Sequence, residues 1–236
     1  MARLPRIVIP NQPLHIMHRG NNRQDIFQCE EDIFRIKEDI YYALEKSGCQ
    51  LHAYVIMTNH LHLLITPENK VKLAAFMQAM ANKYVRYFNA KYHRTGTIWE
   101  GRYKSCLVDS ELYLFTLYKY IEMNPIRANI VKSLSDYAWS SYGHNALGYD
   151  DRLITEHSLY QELGQNVEKR CQAYQALFNE LEITKENEKI TQATVRGEVY
   201  GSDAFHHDIE KKVLRATRLA GHGGDRKSTT YKNQVG

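Results

Sequence analysis

The chain has 236 residues, 43% hydrophobic and 25% charged. That balance excludes wholesale disorder and leaves enough chain to bury a core without disulfides. The formal net charge of +4 sits in the tail, because residues 206–236 carry seven Lys or Arg against three Asp or Glu and the preceding 205 residues are neutral. A neutral body with a basic tail suits a polyanionic partner, although a solvated, solubilising tail has the same composition. Four cysteines (29, 49, 106 and 171) lack CxxC spacing, and no apolar leader or membrane-length run accompanies them. They read as reduced thiols of a soluble cytoplasmic protein with no membrane partner. Tyrosine is in excess, 17 against 7 Phe and 2 Trp. Tyrosine suits half-apolar, half-wet surfaces, but the excess identifies no ligand.

Leu14 to His18 reads as a short strand, followed by a polar turn through Arg19–Arg23. Ile33, Ile36, Ile40, Ala43 and Leu44 recur at helical spacing, which predicts a helix over Glu30–Ser47 stopped by Gly48. Cys49–Met57 is strand-like, with Leu51, Ala53, Val55 and Met57 on one face. Thr58-Asn59 turns the chain back into a second strand, His60–Thr66, and the pair forms a hairpin. A long helix over Val71–Tyr92 carries the stripe Leu73, Phe76, Met77, Met80, Tyr84 and Tyr87. A strand at Ser105–Val108 precedes a helix over Glu111–Met123, capped by Asp109 or Ser110. The order β-α-β-β-α-β predicts an α+β fold, a ferredoxin-like split βαβ domain with an antiparallel sheet.

Beyond Tyr137 the pattern is helical. Ser140-Ser141 marks a helix start, Ser158–Phe178 an amphipathic helix, and Thr184–Lys189 a polar segment. Arg196–Gly201 reads as a turn between helices, compatible with a helix-turn-helix or a plain hairpin. Ser202 caps the last helix and Gly221–Gly224 breaks it. The expected organisation is a catalytic domain over 1–148, a helical extension over 149–220 able to bind DNA, and a basic, mobile tail over 221–236.

Two groups carry chemistry. His60 and His62 share a strand face about 7 Å apart along the chain. They can converge on one cation if a third group closes the site, or can be two outward polar residues on a half-exposed strand. Tyr120 and Asn124, at i and i+4, share a helix face. A hydroxyl nucleophile and an amide-oxygen ligand would project together there. Asn124 before Pro125 is equally a good N-cap. Tyr118 is turned about 160° from Tyr120 on a straight helix.

Taken together, Thr58-Asn-His60-Leu-His62, Trp99-Glu-Gly-Arg102-Tyr-Lys104 and Tyr120-Ile-Glu-Met-Asn124-Pro-Ile-Arg127-Ala resemble the single-tyrosine HUH transposases. Within these, the likeness is to the REP-associated tyrosine transposases, which work on repetitive extragenic palindromes. Leu14-His-Ile-Met-His-Arg-Gly-Asn-Asn-Arg23 and Trp139-Ser-Ser-Tyr142 extend the likeness over roughly residues 5–148. The resemblance implies that His60, His62 and Asn124 are metal ligands and Tyr120 the nucleophile. It also implies an HUH-type tyrosine DNA endonuclease or transposase that uses Mg²⁺ or Mn²⁺ and cuts single-stranded hairpin DNA through a 5′-phosphotyrosine. The expected form is a nucleoid-associated monomer with its site in cis, with a homodimer as the alternative. The rival readings are a non-catalytic single-strand-binding module of ferredoxin-like fold, and a metal-dependent hydrolase with water as nucleophile.

Cations neutralise phosphates and aromatic rings stack on bases. Arg19, Arg23, Arg94, Arg102, Tyr103, Lys104 and Arg127 are the candidate DNA contacts, while Tyr84 and Tyr87 belong to the apolar stripe. In the tail, Arg226 and Lys227 follow a Gly-rich segment that lets the backbone approach phosphates. Deleting 221–236 should weaken hairpin binding in a gel-shift titration if the tail grips the stem, and should speed cleavage if it screens the site. Unchanged binding and cleavage would identify a bland linker.

Overall fold

The computed structural model describes residues 5–181 and 184–218. Strand β1 (Leu14–Arg19) lies at the centre of a five-stranded sheet of order β2-β3-β1-β4-β5. The other strands are β2 (Gln50–Ile56), β3 (His60–Thr66), β4 (Lys104–Val108) and β5 (Val199–Tyr200). The first four pair antiparallel. Helix α1 (Glu30–Ser47) follows β1 and α2 (Lys70–Lys91) follows β3, giving the expected α+β order. Gly48 ends α1 in the left-handed region (φ 70°), where its N–H reaches the Leu44 carbonyl. Asn69 starts α2 by accepting from the Val71 and Lys72 amides.

Six of the remaining helices lie on the far side of the sequence from this unit: α3 (Ser110–Glu122), α4 (Asn124–Arg127), α5 (Tyr142–Leu147), α6 (Ser158–Gln161), α7 (Val167–Glu180) and α8 (Thr184–Arg196). Helix α9 (Asp203–Val213) follows β5. One sheet face, with Leu14, Ile16, Leu61, Leu63 and Ile65, packs on Ile36 and Ile40 of α1 and Phe76, Met80 and Tyr84 of α2. The opposite face, with Ala53, Val55, Leu64, Cys106 and Val108, packs on Leu114, Leu117 and Ile121 of α3. Tyr160, Tyr174, Phe178, Ile190 and Ala193 from the extension join that second cluster. This second cluster thus includes residues from both sides of position 148.

Several local expectations are corrected. The predicted common face of Leu51 and Ala53 is split by a bulge at His52, so Leu51 faces α1 and α2 whereas Ala53 and Val55 face α3. The His52 ring bridges the Thr155 carbonyl and the Thr66 hydroxyl at the bulge. Ser158–Phe178 is two helices. A Cβ on Gly164 would stand 2.7 Å from the Arg170 backbone nitrogen, so the chain folds tightly there and restarts at α7, capped by Asn166. The polar Thr184–Lys189 segment is the first half of α8. The turn expected at Arg196–Gly201 contains β5, parallel to β4, which removes a helix-turn-helix reading. Asp109 does not cap α3; its carboxylate accepts from the Ser202 amide and hydroxyl instead. Ser140-Ser141 do mark the start of α5, but the Ser141 hydroxyl makes no cap and instead binds the Tyr54 backbone and Glu122. Ser202 caps α9 as expected, through the Phe205 amide, and α9 ends at Leu214. The Gly221–Gly224 break lies outside the described residues, as does the tail with Arg226 and Lys227.

Glu122, near the end of α3, is wholly buried. Its carboxylate accepts from Ser141 Oγ (2.6 Å), Asn145 Nδ2 (2.8 Å) and Tyr174 Oη (2.6 Å), which ties α3 to α5 and α7. Burial outweighs these donors and pushes its pKa up to about 7 from an ordinary 4.5. The folded state thus holds a proton that the unfolded chain releases, so this group withdraws stability as pH rises from about 4.5 through 7. Glu122→Ala, which strands three buried donors, should cost about 3 kcal/mol. Glu122→Gln should cost less, and its stability deficit relative to the wild type should shrink as pH rises from 5 to 8, as read by urea unfolding of the two proteins side by side.

Candidate active site

His60 and His62 project from β3 to the α3 side, with ring centroids 5.0 Å apart and planes at 80°. His60 pairs across the sheet with Arg19 of β1. Its Nδ1 lies 2.6 Å from Asn59 Oδ1, and Asn59 Nδ2 donates to the Arg23 carbonyl at 3.0 Å. The amide is thereby oriented with its oxygen toward the imidazole, so His60 Nδ1 carries the proton and Nε2 keeps its lone pair. Burial, with the Arg19 charge, lowers the His60 pKa to about 4. His62 is more deeply buried and its pKa falls further, with the neighbouring His15 and His60 adding to burial. Both rings are neutral at pH 7.

Tyr120 closes the group from α3. Its ring stands edge-on to His15 at 5.4 Å and to His62 at 5.8 Å, within one chain. Only 6% of the residue is exposed. Its hydroxyl lies 3.1 Å from Thr191 Oγ1 of α8, and the Thr191 hydroxyl donates to the Asn187 carbonyl at 2.7 Å. Tyr120 therefore donates to Thr191. The Arg127 guanidinium sits 4.4 Å from the Tyr120 ring centroid, donates to the Tyr120 carbonyl at 2.7 Å, and reaches Asn187 Oδ1 at 3.2 Å. Tyr118 lies elsewhere on α3, wholly buried against Tyr160 and Tyr174. Glu122 is committed to its three donors and does not serve Tyr120 as a base.

The donor set fits a divalent cation at His60 and His62: two adjacent neutral imidazoles, one already holding its free nitrogen in the acceptor form. No group of three His, Cys, Asp or Glu able to hold a metal forms among the described residues. Further ligands must come from an amide, a hydroxyl or phosphate oxygens. Asn124 is half-buried, and its Nδ2 donates to the Tyr120 and Ile121 carbonyls at 3.0 and 2.9 Å. Those bonds fold the amide back on its own helix. They make no N-cap, and they leave the oxygen as the unengaged end.

Residues 9–124 match the family described as Transposase IS200 like. The match spans β1 through Asn124 and so includes the histidine pair and Tyr120. Residues 9–124 are an IS200-like transposase domain, just under half of the chain. A solved structure of a REP-associated tyrosine transposase bound to a REP hairpin has the same fold, at 17% identity and a TM-score of 0.53, covering 67% of this chain and 96% of that one. A putative transposase from Deinococcus radiodurans R1 is also similar, at 18% identity and a TM-score of 0.35, covering 50% and 95% of the two chains. The curated proteins contain no match to the chain.

The other sequence-predicted contacts are dispersed. Arg19 is half-buried and ion-paired with Glu100 at 2.5 Å, next to His60. Arg23 is exposed in the turn whose carbonyl holds Asn59. Arg102 is exposed beside half-buried Tyr103, whose ring is covered by the Arg6 guanidinium at 3.7 Å. Lys104 begins β4. Arg94 lies over Phe88 at 5.6 Å, at the far end of α2. Arg127 is engaged with Tyr120 and Asn187, as above. Among the basic and aromatic residues of α2, Lys91, Tyr87 and Tyr92 all bind the buried Asp32 carboxylate, and Tyr84 donates to the Ile26 carbonyl. Those tyrosines are structural. No helix among the described residues is long and apolar enough to cross a membrane.

Sequence reasoning missed His15, Asn59, Thr191 and Thr194. His15 carried one legible signal, since it alternates with Leu14 and Ile16 and so faces away from their apolar layer. The threonines carried none, because only tertiary packing brings α8 to the site.

Burial lowers the pKa of His15 to about 3 and those of His18, His52 and His60 to about 4. The unfolded chain, with imidazoles near 6.5, binds protons that the folded chain refuses. Their contribution to stability is complete above pH 6.5 and is lost as pH falls toward 4, opposite in sign to that of Glu122. The urea midpoint should drop steeply between pH 6.5 and 5, while NMR should show all four rings still neutral at pH 5.5.

Proposed function

We propose that this transposase cleaves and rejoins single-stranded DNA beside a hairpin, with Tyr120 as nucleophile and a divalent cation at His60 and His62. The observation that carries the reading is the placement of the Tyr120 ring against His62 in the same chain, with the paired neutral imidazoles of His60 and His62 beside it. The family match and the likeness to a hairpin-bound relative agree with it.

A cation held there, Mg²⁺ or Mn²⁺, would draw charge from the scissile phosphate. Tyr120 Oη attacks phosphorus, so a tyrosine–phosphorus bond forms and the bond to the 3′ oxygen breaks. The phenol loses its proton and the 3′ oxygen gains one. The 5′-phosphotyrosine keeps the phosphodiester energy, which lets a 3′-hydroxyl reverse the step and rejoin strands. Before attack, the Tyr120 hydroxyl has to leave Thr191. Arg127 stands where its fixed positive charge can meet the phosphate or the phenolate. Arg19 at the end of β1, Arg23 in the turn after it and exposed Arg102 before β4 would follow the DNA backbone, with Arg226 and Lys227 of the tail as a further grip.

Incubating labelled single-stranded hairpin DNA with the protein and Mn²⁺ should give a denaturant-resistant protein–DNA band. Tyr120→Phe should abolish that band, by at least 100-fold, yet retain DNA binding. His60→Ala should lose the band as well. An adduct that survives in Tyr120→Phe would move the nucleophile elsewhere. A wild type that binds DNA without ever forming the adduct would favour a non-catalytic single-strand-binding module.

A further inference from the structure

His15 of β1 sits diagonally across the sheet from His62, within reach of a ring though not directly opposite in register. The two rings are coplanar to 5°, and His15 Nε2 lies 2.8 Å from His62 Nδ1. On its other side, His15 Nδ1 lies 2.8 Å from Thr194 Oγ1 of α8. The Thr194 hydroxyl donates to the Ile190 carbonyl at 2.7 Å, one turn back on its helix. Cys106 Sγ, 3.3 Å from the same hydroxyl oxygen, is the remaining neighbour of this end of the chain.

Proton counting fixes the direction. Thr194 has one hydroxyl proton, and the Ile190 carbonyl, which can only accept, takes it. The Thr194 oxygen must then accept from His15 Nδ1–H. A neutral imidazole carries one N–H, so His15 Nε2 is an acceptor and His62 Nδ1 must donate to it. His62 is left with a bare Nε2 lone pair. Full burial of His15 favours the neutral ring that this count requires. His60 reaches the same tautomer independently through Asn59.

We infer that Thr194 and His15 are positioning residues, a relay from α8 through β1 that locks His62 with Nδ1 protonated and Nε2 presented to a cation. Thr194 lies outside the family match over residues 9–124, so the C-terminal extension contributes to the site here. This role rests on the proposed metal-dependent reading, but the tautomer itself does not.

The test therefore has two readouts. In metal-free protein, long-range ¹H–¹⁵N NMR of the imidazoles should show His62 protonated on Nδ1. Thr194→Val, close in shape but unable to accept, should convert His15 or His62 in part to the other tautomer, and Thr194→Ser should restore the wild-type pattern. Mn²⁺ titration followed by EPR should then show the dissociation constant rising about 10-fold or more in Thr194→Val and recovering in Thr194→Ser, the range typical of outer-shell partners of a metal-binding histidine. A His62 protonated on Nε2 in the wild type, or a Thr194→Val protein with unchanged tautomers and unchanged Mn²⁺ affinity, would overturn the relay. A wild type with the expected tautomers that binds no Mn²⁺ would leave the relay standing as a structural device and overturn the metal reading instead.

Discussion

The central strand β1 is hydrogen-bonded on both edges and covered on both faces, and the rest of the molecule accommodates that constraint. Its outer layer, Leu14 and Ile16, is satisfied by ordinary apolar packing under α1 and α2. Its inner layer carries His15, an imidazole with two polar nitrogens and no access to water. A buried polar ring needs partners for both nitrogens. It finds them in His62 on β3 and Thr194 on α8, and so ties the histidine pair to a helix more than a hundred residues further along the chain. The site is thus embedded in the second core of the protein.

That second core unites what looks like separate parts. Glu122, Tyr174, Ser141 and Asn145 join α3 to the helices that follow it, while Lys119 donates to the Phe178 and Leu181 carbonyls at the end of α7. Every one of these contacts holds the helix that carries Tyr120. Burial of several aromatic and aliphatic side chains, each contributing on the order of 1.5–3 kcal/mol, gives this layer the rigidity that a positioned phenol requires. Rigidity has a consequence for access, because α8 covers the Tyr120 hydroxyl. Opening the bond between Tyr120 and Thr191 leaves the histidine relay through Thr194, three residues further along α8, as a separate attachment.

The tyrosine excess resolves into distinct physical roles. Tyr84, Tyr87 and Tyr92 satisfy backbone and carboxylate acceptors between α1 and α2. Tyr118 and Tyr160 lie parallel in the second core, with Tyr174 edge-on to both. Tyr103 lies under Arg6, and Tyr120 faces the histidines. Composition could not separate these roles, because burial and hydroxyl partners are set by tertiary contacts.

Sequence alone determined the elements whose signals are local. The α1 stripe with Gly48 behind it, the β2–β3 hairpin, the common face of His60 and His62, and the separation of Tyr118 from Tyr120 follow from fixed periods of strand and helix. So did the motif order that the family match covers. Tertiary structure decided the bulge at His52, the fifth strand, the partners of Asp109 and Ser141, and the direction of the Asn124 amide. These depend on which distant groups compete for the same hydrogen bonds. It also decided that α8 closes the site, since Thr191 and Thr194 acquire meaning only when the sheet face bearing His15 and His62 is buried beneath them.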